Sequence, residues 1–420
     1  MQSNLPNAGS GYVVFTYTVI VFFFLVFNPQ SLKFHYGDGG GRYEDRVDSF
    51  SEHIIRNTIK RNILNKEDNS ILPIVTKGYS DGDYAYYKDD YKKYFSSVSL
   101  QTVPASFFAK IFNIDTERKL NIYFGLLRLI NALLLSFFLC IFVLCFCKSQ
   151  GIKHHFLVPF LIGASSGFVF YSQNLWFASA LMLMPATLIA FQLSKHDHFS
   201  KVIIFLLGTA YFLRGYEFAT IFALLTAFSA MIFANGNFFR KVKLSAVAFI
   251  IICISFAFSV FIHIVLISAD SSWTLSFYES AQKALSSIQR RTASIDGVPF
   301  PLSSYFVQAM NERWLATAFS LTRDGIKITE INIILLIGFI VTLRLKKMSN
   351  IEKIIVAYGV LGYSSWYIFA YQHIMWHSMY DWYIFSLTMG FSFILLANIY
   401  INMAIEFLAK YFMMESNKDG

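Results

Sequence analysis

Residues 121–147, NIYFGLLRLINALLLSFFLCIFVLCFC, contain a single charged side chain, Arg128. About 20 consecutive apolar residues suffice to cross the hydrocarbon of a bilayer, so this run reads as a transmembrane helix. The rest of the chain has the same character. Of its 420 residues 55% are hydrophobic, 18% aromatic and only 15% charged, and the mean hydropathy is +0.49. That balance lies outside the range of soluble chains. The same criterion places spans at 12–28, 121–147, 156–172, 175–193, 202–213, 216–234, 244–268, 331–345, 354–371 and 383–409. The expected fold is an all-α membrane protein: one polytopic domain over 1–420, with about ten transmembrane helices in a lipid bilayer. Two long helical loops, 29–119 and 269–330, emerge from one face.

A net charge of +9 invites a nucleic-acid reading until the charge is located. The short connectors 148–155, 194–201, 235–243 and 344–353, with the tail from Lys410, hold 13 Lys and Arg against 4 Asp and Glu. Loop 29–119 has 14 basic and 13 acidic residues, and loop 269–330 has 6 of each. Basic residues concentrate in short cytoplasmic loops. Both termini are therefore expected on the cytoplasmic side and both long loops outside. The positive charge reports topology, and no nucleic-acid partner is expected. Cys140, Cys145, Cys147 and Cys253 all fall in apolar runs, so the loops carry no disulfide framework. Cys145 and Cys147, two apart on a helix, point in different directions and read as packing residues rather than a metal pair. The opening MQSNLPNAGSGY lacks a basic n-region, so the first run is expected to stay as a helix.

Within the first loop, VDSFSEHIIRNTIKRNIL (47–64) has helical spacing with a Ser or Asp start. LQTVPASFFAKIFNI (100–114) suits a helix lying flat at the membrane surface. Between them KGYSDGDYAYYKDDYKKYF (77–95) carries six tyrosines, available to stack on sugar rings or to pack a small helical lid. The second loop predicts helices around 274–290 and 302–320, separated by the turn DGVPFP. No internal repeat divides the chain.

Several residues carry possible chemistry. HYGDGGGRYEDRVD (35–48) sets Asp38, Glu44, Asp45 and Asp48 with Arg42 and Arg46 around a glycine run. Glycines permit close backbone approach, and a carboxylate beside the bilayer can take a proton from a bound hydroxyl. Asp38 is thus a candidate general base; the other reading is a polar turn in which these carboxylates pair with the arginines. In YFLRGYEF, Arg214 and Glu217 interrupt an apolar hairpin, where ionisable groups face a cavity or each other. Arg128 with Asn131 reads as structural. His373, His377 and Asp381 recur at intervals of four in YQHIMWHSMYD, a spacing for a phosphate, a metal or a hydrogen-bonded turn. Arg290, Arg291, Arg313 and Arg323 of the second loop suit phosphate or solvent.

The segments YGDGGGRYED, YFSSVSLQTVPASFFAKIF, FVFYSQNLWFASALMLMPATLIAF and WYIFAYQHIMWHSMYDWYIF, in that order along the chain, resemble the GT-C superfamily of membrane glycosyltransferases and its bacterial inner-membrane relatives. The resemblance covers most of the chain through diffuse motifs. It implies transfer of a sugar from a polyprenyl-phosphate donor to a glycan or lipid-linked acceptor at the outer face of the cytoplasmic membrane. A first-loop carboxylate would act as base. Arg42, Arg214, Glu217, Arg313, His373 and His377, or a divalent metal, would attend the phosphate. The Asp-Glu pair of many members is missing from the first loop, so the base stays open among Asp38, Glu44 and Asp45. Two other classes compete. An O-antigen-type polymerase would depend on loop arginines; a lipid-linked oligosaccharide flippase or transporter would be expected to show internal repeats.

Overall fold

The computed structural model describes residues 8–27, 49–64, 71–76, 91–270, 274–292, 314–323, 325–370 and 381–416. It is an all-α membrane protein in architecture, with helices α1 (Ala8–Phe27), α2 (Ser49–Leu64), α3 (Thr102–Ile111), α4 (Glu117–Ser149), α5 (Val158–Ala164), α6 (Ser166–Tyr171), α7 (Ser179–Leu193), α8 (Lys201–Arg214), α9 (Ala219–Phe233), α10 (Phe238–Asp270), α11 (Phe277–Thr292), α12 (Glu330–Arg344), α13 (Asn350–Phe369), α14 (Asp381–Leu387) and α15 (Met389–Ser416). Three helical stretches, Glu117–Ser149, Phe238–Asp270 and Asp381–Met413, are long and apolar enough to cross a membrane. Apolar side chains such as Leu126, Leu133, Ile250, Ile254 and Phe258 face outward from α4 and α10, as lipid contact requires.

The ends of α8 and α10 and the start of α4 lie against the first loop, through the Leu100 amide on the Leu213 carbonyl and the Lys93–Asp270 and Lys60–Glu117 pairs. That end is called here the loop end. At about 1.5 Å per residue, α4 and α10, each of 33 residues, are about 50 Å long against a hydrocarbon of about 30 Å. The surplus of α4 projects at the loop end, where α2 lies antiparallel along it. Glu52 pairs with Arg128, Arg56 donates to Asn121 (2.6 Å) and Lys60 pairs with Glu117 (2.8 Å). Those three steps keep α2 in register with α4.

The loops are less helical than expected. Ile74–Thr76 (β1) pairs antiparallel with Tyr91–Lys93 (β2), β-branched residues in the first strand favouring the extended chain. Part of the helix expected at 302–320 is strand: Thr317–Phe319 (β3) pairs with Ile328–Thr329 (β4). The two loops also join. Lys93 pairs with Asp270 at 2.7 Å, and a small core of Leu72, Ile264, Ile267 and Ala284 lies beneath them. Helix α3 buries Thr102, Ala105, Ser106 and Ala109 and exposes Val103, Phe107, Phe108 and Ile111. Its outward face is apolar, the pattern of a helix resting on a bilayer.

The run 156–172 is broken. Ser165 is extended between α5 and α6 and bridges to Phe319 of β3. The freed carbonyl of Ala164 accepts from the Ser320 amide at 2.9 Å, so the break leaves that group satisfied, as irregular backbone at membrane depth demands. Across it α6 meets α14 closely: a Cβ on Gly167 would stand 2.0 Å from the Trp382 carbonyl oxygen.

Candidate functional site

Residues 172–178, between α6 and α7, form a buried connector at the loop end. Ser172 and Gln173 donate to the carbonyl oxygens of Leu25 and Val26, fixing the last turn of α1 just before the acidic stretch. Asn131 of α4 donates to the carbonyl of Ser172 at 2.7 Å and to the Ser179 hydroxyl at 3.2 Å. Arg128, one turn before it, pairs instead with Glu52.

The Trp176 carbonyl of the same connector accepts from two side chains, Arg214 Nη1 at 3.1 Å and Gln101 Nε2 at 3.0 Å. Arg214 ends α8 fully buried. Its guanidinium lies 4.7 Å from the Tyr211 ring centroid and 5.7 Å from that of Phe177, distances at which a ring face attracts a cation. Arg214 Nη2 and Glu217 Oε2 are 3.6 Å apart, an ion pair too long for a hydrogen bond. The Arg214 Nε has no hydrogen-bond partner among the described residues. Gly215 leaves room for the Glu217 carboxylate, whose Oε2 a Cβ there would displace. Tyr211 donates to the Glu217 carbonyl at 2.6 Å, closing the turn.

Backbone strain frames this group. Phe218 (φ 62°) and Ala178 (φ 42°) are left-handed non-glycine residues, each costing about 1–3 kcal/mol where packing holds it. They stand at the starts of α9 and α7. Their conformation turns the Phe218 ring toward Phe177, Trp366 and Tyr383, with centroids 5.2, 5.3 and 5.8 Å away. Through Phe218 the arginine group adjoins a second buried polar set.

That second set joins α12, α13 and α14. Asp381 opens α14 fully buried and accepts from Trp366 Nε1 at 2.8 Å and from the Tyr367 hydroxyl at 2.7 Å. The Tyr367 and Tyr363 hydroxyls are 2.9 Å apart, and Tyr363 reaches Glu330 Oε2 at 2.9 Å. Asp381 is legible in the sequence as the end of the His373–His377 series; Glu330, Tyr363 and Tyr367 are not among the residues the sequence points to. The i,i+4 spacing of the tyrosines and their nearness to Asp381 were the available signals. Nearby, His263 Nδ1 lies 3.0 Å from the Tyr216 hydroxyl, both buried.

Among the expected site residues, Arg214 and Glu217 are thus brought together. Asp38, Arg42, Glu44, Asp45, Arg313, His373 and His377 lie outside the described residues. Among the described residues no group of three or more His, Cys, Asp or Glu is placed to hold a metal ion. The four cysteines are free. Among the loop carboxyls, Asp115 lies below its ordinary range through a hydrogen bond from Lys119, and Glu279 through those from the Ser276 amide and hydroxyl. No family model, curated protein or solved structure matches the chain.

Proposed function

We propose that the chain is a polytopic glycosyltransferase of the GT-C type, moving a sugar from a polyprenyl-phosphate donor to a glycan or lipid-linked acceptor. In this reading about ten helices span the bilayer, the loop end is the outer face of a bacterial cytoplasmic membrane, and both termini are cytoplasmic. The observation that carries it is Arg214: a guanidinium buried at the loop end, its Nε without a hydrogen-bond partner among the described residues. It adjoins the connector that fixes the exit of α1 into the acidic first loop. A lipid-borne phosphate and a first-loop carboxylate would meet there.

The step is a substitution at the anomeric carbon. The acceptor oxygen forms the new C–O bond while the bond to the donor phosphate breaks, and the electron pair leaves with the phosphate. Asp38, Glu44 or Asp45 takes the hydroxyl proton. Arg214 supplies charge where the phosphate gains it, with Arg42, Arg313, His373 and His377 as further phosphate ligands. Segment 94–101 covers Arg214 through Gln101 and through the Leu100 amide on the Leu213 carbonyl. Entry of a phosphate displaces that segment.

The test is sugar transfer by lipid-reconstituted protein, offered a panel of polyprenyl-phosphate sugars and a lipid-linked glycan acceptor. Transfer by the wild type and its loss in Asp38→Asn, with membrane insertion unchanged, is the expected result. Loss instead in Glu44→Gln or Asp45→Asn reassigns the base within the same mechanism. Elongation of preassembled repeat units that ignores all three substitutions would favour a polymerase. Movement of lipid-linked glycans across the bilayer without turnover would favour a flippase.

A further inference from the structure

We propose that Glu330 and Asp381 share one proton through Tyr363 and Tyr367, so that at neutral pH the pair holds one carboxylic acid and one carboxylate. The argument is a proton count. The line Glu330 Oε2, Tyr363 Oη, Tyr367 Oη and Asp381 Oδ2 contains three oxygen–oxygen contacts of 2.9, 2.9 and 2.7 Å. Each is a hydrogen-bond distance and needs a proton between its two oxygens. The tyrosines bring two. If both carboxyls were ionised, each tyrosine would donate outward to its own carboxylate. Two bare lone pairs would then face each other at 2.9 Å in a buried site. One more proton, carried by a carboxyl, completes the line.

Either end can carry it. With Glu330 protonated, its O–H donates to Tyr363, Tyr363 to Tyr367, and Tyr367 to Asp381. Shifting every proton one oxygen along reverses all three bonds and moves the negative charge from Asp381 to Glu330, with no atom gained or lost. The Trp366 indole N–H donates to the other oxygen of Asp381 at 2.8 Å.

Glu330 and Asp381 open α12 and α14 at the same end of the bundle, so the line runs along the loop end rather than across the membrane. It offers a proton acceptor and a proton donor there. The assignment is of a proton-exchange site, its substrate a proton released or required by chemistry at this end. It stands whether or not that chemistry is sugar transfer.

Infrared spectroscopy of the full chain in lipid tests it through the carboxylic C=O stretch. The wild type at pH 7 is expected to show a protonated-carboxyl band that moves in heavy water, disappears in Glu330→Gln, and changes frequency in Tyr363→Phe, which keeps both carboxyls but cuts the line. Glu52→Gln, in the α2–α4 contact, should leave the band unchanged. Absence of any protonated-carboxyl band in the wild type would overturn the proposal without recourse to a variant. Should Glu330→Gln not fold, an unshifted band in Tyr363→Phe would overturn it equally.

Discussion

Arg214 and Glu217 show how much one buried pair controls. Their separation of 3.6 Å gives attraction without a good hydrogen bond, so the pair is held by its surroundings as much as by its own contact. Removing one partner of a buried pair typically costs about 3–5 kcal/mol, because the other is left uncompensated. Glu217→Gln is therefore expected to lower the unfolding midpoint in detergent strongly. Arg214→Met with Glu217→Gln should cost less than the sum of the single changes, a coupling that a double-mutant cycle measures. On the loop surface Glu279 gives a pH prediction. Its pKa is depressed from the ordinary 4.5 by the Ser276 amide and hydroxyl, so its contribution to the start of α11 is complete above that value and fades as pH falls through the lowered pKa. Hydrogen exchange in the first turn of α11, corrected for intrinsic rates, should show protection falling toward acid in the wild type and a flatter profile in Glu279→Gln. The arginine–glutamate pair was legible in YFLRGYEF because charge inside an apolar run announces itself. The Glu330–Tyr363–Tyr367–Asp381 line was not, since Glu330 and Tyr363 are 33 positions apart and only folding brings them together.

Small residues and irregular joints set how closely the elements approach. Gly167 admits the Trp382 carbonyl, and a methyl group there meets backbone at 2.0 Å, which no side-chain rotation relieves. Gly167→Ala should therefore separate α6 from α14 and destabilise by at least the 1–3 kcal/mol or so usual for overpacking. Gly338 of α12 is its contrast: nothing lies within 4 Å of its added Cβ. Gly338→Ala should be neutral or stabilising by about 0.5–1 kcal/mol from helix propensity. Thermal unfolding of the two variants side by side reads both effects. Most helices were legible because apolar runs of this length have few alternatives, and α2 because its apolar residues keep helical spacing. The hairpin β1–β2 was hidden: three-residue strands separated by a tyrosine-rich polar segment give too little alternation to outweigh a helical reading. The break at Ser165 was hidden for a related reason, as its partner, Phe319, comes from a distant loop.

At the scale of the whole molecule, the two long loops are tied together by Lys93 and Asp270. Arg214, Glu217, Asp381 and Glu330 are buried within the helices. Charge bookkeeping on the sequence does not reveal that the loops pack on each other, since that contact joins positions 177 residues apart. The central claim is that the loop end receives a phosphate carried by a lipid. Binding of polyprenyl phosphate to the reconstituted chain, set against the uncharged polyprenol, tests it most directly. The account predicts preference for the phosphate and at least about tenfold weaker binding in Arg214→Lys, which keeps the charge but loses the planar fork. Equal binding of phosphate and alcohol, or a preference that survives the loss of the guanidinium, would contradict it.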